Sequence, residues 1–253
     1  MFQFHSLQKF SDEVAHAVLS RAGGFSKKPY DTLNVSFTVS DEAAAVRKNR
    51  KLVCRSFGIP EENLIAGHQI HSKYVVVIND KILGSHKAYE DIENVDAFVT
   101  DKPGVALMIK AADCQSILMF DPVQKVVAAA HAGWKGLAQD ISGEALKVMK
   151  KHFKVKPENV MVAVSPSLGP CCAFFSNPEK ELPPSFKPYI AYNKTVDLWQ
   201  FSIDQLKKHG VQAKHIELAR VCTMCGGGDK FYSFRRDRGM TGRFGTVIVL
   251  KPY

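Results

Sequence analysis

The feature that most constrains this chain is a series of short, almost wholly apolar runs that break off at polar residues. They cover residues 74–78, 97–100, 105–109, 116–120, 126–130, 160–164, 216–219 and 246–250. Their length and their content of Val, Ile and Phe read as strands. Helical periodicity is rarer. Residues 41–57 place Ala44, Leu52 and Val53 inward and stop at Gly58. Residues 137–153 repeat Ile141, Ala145, Met149 and Phe153 at intervals of four, and residues 196–209 carry Leu198 and Leu206 ahead of Gly210. Strands outnumber helices and do not alternate strictly with them, which predicts an α+β fold rather than a doubly wound parallel sheet. At 45% apolar and 23% charged residues the chain can bury a full core, so a disordered or fibrous protein is excluded. With no repeat, linker or low-complexity tract, one domain over 1–253 is expected.

Three of the runs border polar residues able to carry chemistry: Gly67-His68-Gln69-Ile70-His71-Ser72, Ala111-Ala112-Asp113-Cys114-Gln115-Ser116 and Ala128-Ala129-Ala130-His131-Ala132-Gly133-Trp134. One reading is a single site joining His71, Cys114 and His131. Two imidazoles and a thiolate suit zinc, and three protein ligands leave a fourth position for water or substrate. The competing reading is that each is separately satisfied in a core or a turn. Spacing alone does not choose between them.

Six cysteines are few for this length, and no basic segment followed by an apolar one opens the chain, so a cytoplasmic protein with thiols or metal ligands is expected. Cys222-Thr223-Met224-Cys225 lacks a second CxxC and the strand–helix setting of a redox motif; it reads as buried thiols beside the turn Gly226-Gly227-Gly228. The run Phe234-Arg235-Arg236-Asp237-Arg238 is either a phosphate fork or a solvated face. The lysines from Lys147 to Lys156 read as a solvated face. The net charge of +9 favours anionic partners, but no aromatic–basic platform of the kind that binds RNA is present, and no run is long enough to cross a membrane. Walker, dinucleotide-turn and Gly-x-Ser-x-Gly motifs are missing, as is the His-x-His pairing of multicopper oxidases.

Taken together, several ordered blocks resemble one family, the laccase-domain proteins once called polyphenol oxidases and now read as purine nucleoside phosphorylases. The blocks are Ser20-Arg21-Ala22-Gly23-Gly24-Phe25-Ser26, Tyr30-Asp31-Thr32-Leu33-Asn34, Asn49-Arg50, Gln69-Ile70-His71, Asp96-Ala97-Phe98-Val99-Thr100, Ala112-Asp113-Cys114, His131-Ala132-Gly133-Trp134-Lys135-Gly136, Gly169-Pro170-Cys171-Cys172, and Phe231 to Asp237 with Thr241-Gly242-Arg243. The resemblance implies a mixed β-sandwich flanked by helices, like that of a toxin deamidase with a Cys–His pair. It implies zinc on His71, Cys114 and His131, with copper able to substitute in vitro. It also implies phosphorolysis of adenosine, inosine, guanosine and methylthioadenosine, and deamination of adenosine, in a monomer or weak homo-oligomer that binds neither nucleic acid nor membrane. Asp113, Cys114 and His131 are the expected catalytic groups, Asp113 as a proton shuttle. Arg21, Asn34, Arg50 and Arg235 are the expected phosphate or substrate ligands. An alternative is a Cys–His hydrolase or deamidase with Cys114 as nucleophile and His131 as base. Two departures from the family pattern stand out: Lys135 replaces an arginine, and Ala173-Phe174-Phe175 lacks a carboxylate.

Overall fold

The computed structural model describes residues 1–252. The apolar runs form strands, and three further strands join them. In chain order these are β1 (Val14–Val18), β2 (Leu64–Gly67), β3 (Val75–Val77), β4 (Asp91–Ile92), β5 (Ala97–Thr100), β6 (Ala106–Ala111), β7 (Gln115–Asp121), β8 (Val126–Ala132), β9 (Met161–Val164), β10 (Ile216–Leu218) and β11 (Phe244–Leu250). Three long helices are α1 (Ala43–Phe57), α2 (Ile141–Phe153) and α3 (Leu198–Lys208). A five-stranded sheet runs β1-β11-β6-β2-β4 and a six-stranded sheet runs β10-β9-β7-β8-β5-β3, both mixing parallel and antiparallel pairs.

The two sheets stack face to face. Leu107 and Ile109 of β6 share one buried cluster with Leu118 and Phe120 of β7 and Val127 and Ala129 of β8. The alternate residues face outward, because successive side chains on a strand point to opposite faces. Ala106 and Met108 of β6 pack with Val53 and Cys54 of α1. Ile117 and Met119 of β7 pack with Ile141, Ala145 and Met149 of α2 and with Leu206 of α3. The order of layers is therefore helix, sheet, sheet, helices. The central strands are apolar throughout because both of their faces are covered. Each fully buried Leu, Ile or Phe contributes about 1.5–3 kcal/mol.

Several expectations need correction. On α1 it is Ala45, Val46, Asn49, Arg50, Val53 and Cys54 that are buried, whereas Ala44 is exposed and Leu52 half-buried. The helix expected over 137–153 is two: Trp134–Ala138, then α2. Asp140 separates them at φ +60°, and its carboxylate accepts from the Gly143 amide (3.2 Å) as the N-cap of α2. Gly58 does end α1, in the left-handed conformation that glycine adopts without strain.

Candidate active site

Topology brings the polar strand ends together. β2 runs parallel to β6, so both finish at the same edge. There the chain crosses from β6 in one sheet to β7 in the other, through Ala112, Asp113 and Cys114. β8 is antiparallel to β7 and places His131 opposite Ser116, at the start of β7. β5 is antiparallel to β8, so Asp96, just ahead of β5, lies beside the end of β8. Positive φ values at His71 (61°) and Asp113 (85°) turn the two loops inward.

The result is a cluster in which the ligand atoms of His71, Cys114 and His131 all lie within 4.8 Å of one another. Cys114 Sγ is 3.7 Å from His71 Nε2, and the two imidazole rings are 4.7 Å apart edge to face. Gly133 makes this approach feasible: a Cβ there would stand 2.7 Å from Cys114 Sγ and 2.9 Å from the His71 ring.

Asp96 organises the cluster, a role that spacing gave no hint of. It is fully buried, and one carboxylate oxygen bonds His131 Nδ1 at 2.8 Å. The same carboxylate accepts from the backbone amides of Ile70, His71 and Ser72 and from the Ser72 hydroxyl. One side chain thus orients His131 and pins the loop that carries His71. The remaining nitrogen of His131 faces the cluster, the arrangement typical of an imidazole ligand with a carboxylate behind it.

Charge reinforces the geometry. Burial pushes the Cys114 thiol up, but His131 and the hydrogen bonds to both imidazoles outweigh that and bring it down to about 6. Burial pushes His131 down, but the Cys114 thiolate and Asp96 raise it to about 9. Burial would raise Asp96, yet its bonds to His131 and Ser72 hold it at about 2. A thiolate, the form that binds metal or attacks an electrophile, is therefore accessible at neutral pH.

The cluster opens onto a cleft of about 610 Å³, within the range of small-molecule sites. Trp134, Phe175 and Phe234 supply aromatic lining, and Lys110, Arg235, Arg238 and Arg243 supply positive charge. Trp134 meets Phe175 edge to face at 6.3 Å, so the Phe175 that stands in the stretch lacking a carboxylate helps build the wall. Lys135 is exposed and lies over the Trp134 ring. Burial, reinforced by the neighbouring guanidinium groups, brings Lys110 down to about 8 despite its ion pair with Asp91.

Of the expected anion ligands, only Arg235 lines the cleft, where Nη1 also donates to the Cys172 and Phe174 carbonyls. The other three brace the scaffold. Arg21 donates to the Asp31 carbonyl and pairs with its carboxylate. Asn34 is fully buried and bonds Ser36, Asp41 and the Arg243 amide. Arg50 has no exposed surface; it pairs with Asp91 at 2.8 Å and donates to the Val35 carbonyl. Each is a polar group whose partners fold back on the chain. Asp113 is likewise committed: one oxygen accepts from Thr223 Oγ1 and the other from the Arg235 amide, both at 2.7 Å. It lines the cleft and ties Thr223 to the Arg235 backbone. Lys110 was not among the expected ligands, Arg238 stood only in the run read as a phosphate fork or a solvated face, and Arg243 only in a block of the resemblance; their convergence on the cleft depends on chain crossings distant in sequence.

Comparison with known proteins agrees with this architecture. Residues 15–251 match the family described as multi-copper polyphenol oxidoreductase laccase. The chain belongs to that family. A Bacteroides thetaiotaomicron relative named purine nucleoside phosphorylase is 32% identical, over 99% of this chain and 96% of its own. The crystal structure of YlmD from Geobacillus stearothermophilus superposes with a TM-score of 0.84 at 29% identity, covering 94% of this chain and 92% of the other. That of the Bacillus licheniformis hypothetical protein YfiH does so with a TM-score of 0.85 at 27% identity, covering 94% and 93%. Among the described residues, no helix is long and apolar enough to cross a membrane.

Proposed function

We propose that this protein is a zinc-dependent purine nucleoside phosphorylase acting on adenosine, inosine, guanosine and methylthioadenosine. The observation that carries the reading is the meeting of His71, Cys114 and His131 at the wall of a cleft that is cationic and aromatic at once. The names of the relatives support it. Two imidazole nitrogens and one thiolate fit zinc with a coordination position left over. A multicopper centre needs further histidine groups, and among the described residues the second cluster of ligand side chains is made of cysteines alone. When bound, the ion supplies a Lewis acid and can lower the pKa of a water towards 7, which is also what hydrolytic deamination of adenosine requires.

In phosphorolysis a phosphate oxygen bonds the anomeric carbon, the bond from that carbon to the purine breaks, and the purine leaves with the electron pair and takes up a proton. Arg235, Arg238 and Arg243 provide donors for the phosphate, and Lys110 adds positive charge behind them. Trp134, Phe175 and Phe234 offer apolar faces for the base and exclude water. Asp96 keeps His131 oriented throughout.

One observation favours a second reading. Cys114, His131 and Asp96 form a connected thiolate–imidazole–carboxylate series, the constellation of a Cys–His hydrolase. The deciding experiment measures release of base from adenosine, inosine and methylthioadenosine with and without phosphate, before and after metal removal. Phosphate-dependent release that is lost on chelation and restored by zinc is the expected outcome. Activity that survives or rises on chelation, or needs no phosphate, overturns the phosphorylase and leaves the hydrolase.

A further inference from the structure

We propose that Cys171, Cys172, Cys222 and Cys225 form a second metal site, a closed four-thiolate zinc site that clamps together the two loops forming one wall of the cleft. This site does not depend on the reaction proposed above.

The four sulfurs come from segments far apart in sequence, yet all lie within 4.8 Å of one another, with Cys171 Sγ and Cys225 Sγ at 3.4 Å. Zinc–sulfur bonds of about 2.3 Å in a tetrahedron put sulfurs roughly 3.8 Å apart, so the group needs little adjustment to close on an ion. Both segments are built as turns. Gly226 and Gly227 donate their amides to the Cys222 carbonyl at 2.8 and 2.9 Å, folding CxxC into a tight loop. Cys172 and Ala173 both donate to the Gly169 carbonyl at 2.9 Å, so the neighbouring Cys171 and Cys172 sit on a bend rather than an extended strand, where they would point to opposite sides. The Gly169 amide donates to Cys222 Sγ at 3.3 Å, a bond that favours the thiolate form.

Simple core packing does not account for the group. Cys222 is buried, but Cys171 and Cys225 are exposed, and packing alone has no use for thiols at the surface. Four protein ligands leave no open position, which is the pattern of a structural site rather than a catalytic one. The loops it would join also meet through a parallel bridge, Ser167 to Cys222, with its two backbone bonds, and through the small apolar cluster of Leu168, Ala173 and Cys222. Leu168 on one loop lines the cleft, Thr223 on the other bonds Asp113, and the Cys172 carbonyl holds Arg235. An ion here would therefore fix the wall that Asp113 and Arg235 share.

The test uses the whole chain loaded with zinc or with cobalt(II). Wild-type protein is expected to bind two equivalents. His131→Ala should keep one, and its cobalt form should show the intense sulfur-to-cobalt absorption of four thiolates. The double variant Cys171→Ser with Cys225→Ser should lose that absorption and one equivalent. Should that variant fold poorly, thiol alkylation of the His131→Ala protein gives the same answer, with Cys171, Cys172, Cys222 and Cys225 protected by zinc and released by a chelator. A single equivalent in wild type that vanishes in His131→Ala overturns the proposal. So does alkylation indifferent to zinc, or failure of the protein to take up the second equivalent of zinc once excess reductant has converted all four cysteines to thiols.

Discussion

The two cysteine-bearing clusters are built in opposite ways. His71, Cys114 and His131 stand at the ends of strands whose positions are set by two stacked sheets, and Asp96 holds two of the three from behind. The four-cysteine group lies on two turns outside the sheets, with Cys171 and Cys225 exposed and Cys222 buried in a small apolar cluster. The first therefore keeps its shape through packing and leaves a position facing the cleft. The second supplies all of its own ligands, and the bound ion would be its framework. A site that exchanges ligands needs an open position on a rigid support, whereas a closed structural site can be built on turns.

The sharpest way to break this contrast is His131→Ala, which on the proposed reading should bring phosphorolysis to background while circular dichroism stays native. Metal analysis should show loss confined to the strand-end cluster. Gly133→Ala comes next: its Cβ would press on Cys114 Sγ and the His71 ring. A displacement of that order should lower kcat/KM by about 100-fold, read by steady-state kinetics. Unchanged kinetics would show the strand-end site to be as adaptable as the loop site.

Asp96→Asn removes the charge behind His131 and should weaken zinc about 10- to 100-fold in a competitive chelator titration, leaving the cysteine group untouched. Arg235→Ala should raise KM for phosphate about tenfold, the worth of one charge-assisted contact, with a smaller change in KM for the nucleoside.

A pH comparison separates loss of the scaffold from loss of metal. His16 on β1 is buried and accepts the Phe4 amide at 2.8 Å, and burial brings it down to about 4 against the opposing charge of Glu217. The fold holds it neutral while the unfolded chain protonates it near 6.5. Its stabilising contribution is complete above pH 6.5 and lost as pH falls towards 4, about 3 kcal/mol in urea unfolding. His16→Gln, which keeps an acceptor, should flatten that dependence; an unchanged slope would assign it elsewhere.

What was legible in the sequence follows from which forces are local. The central strands show themselves because both faces are buried and the runs have no polar interruption. β1 hid because His16 stands in its middle, and β4 because two residues make no pattern. The His71, Cys114 and His131 trio could be picked out because reactive side chains ending apolar strands are visible in order. Asp96 was visible only as part of a block, since its partners are backbone amides that no residue type announces. Arg21, Asn34 and Arg50 lie away from the cleft lining: charge and polarity can be read in the chain, but the partners that hold such groups elsewhere cannot.

The sequence by itself determined the class of fold, the apolar strands and the chemistry available at their ends, because periodicity and side-chain type are local properties. Only the tertiary structure decided the pairing of strands across two sheets. That pairing decided which cations face the cleft, that Asp113 bonds Thr223 and the Arg235 amide at its wall, and that two distant cysteine pairs share one small volume. Contacts between segments far apart in the chain depend on how layers stack, and stacking is settled by the whole core at once rather than by any one stretch of it.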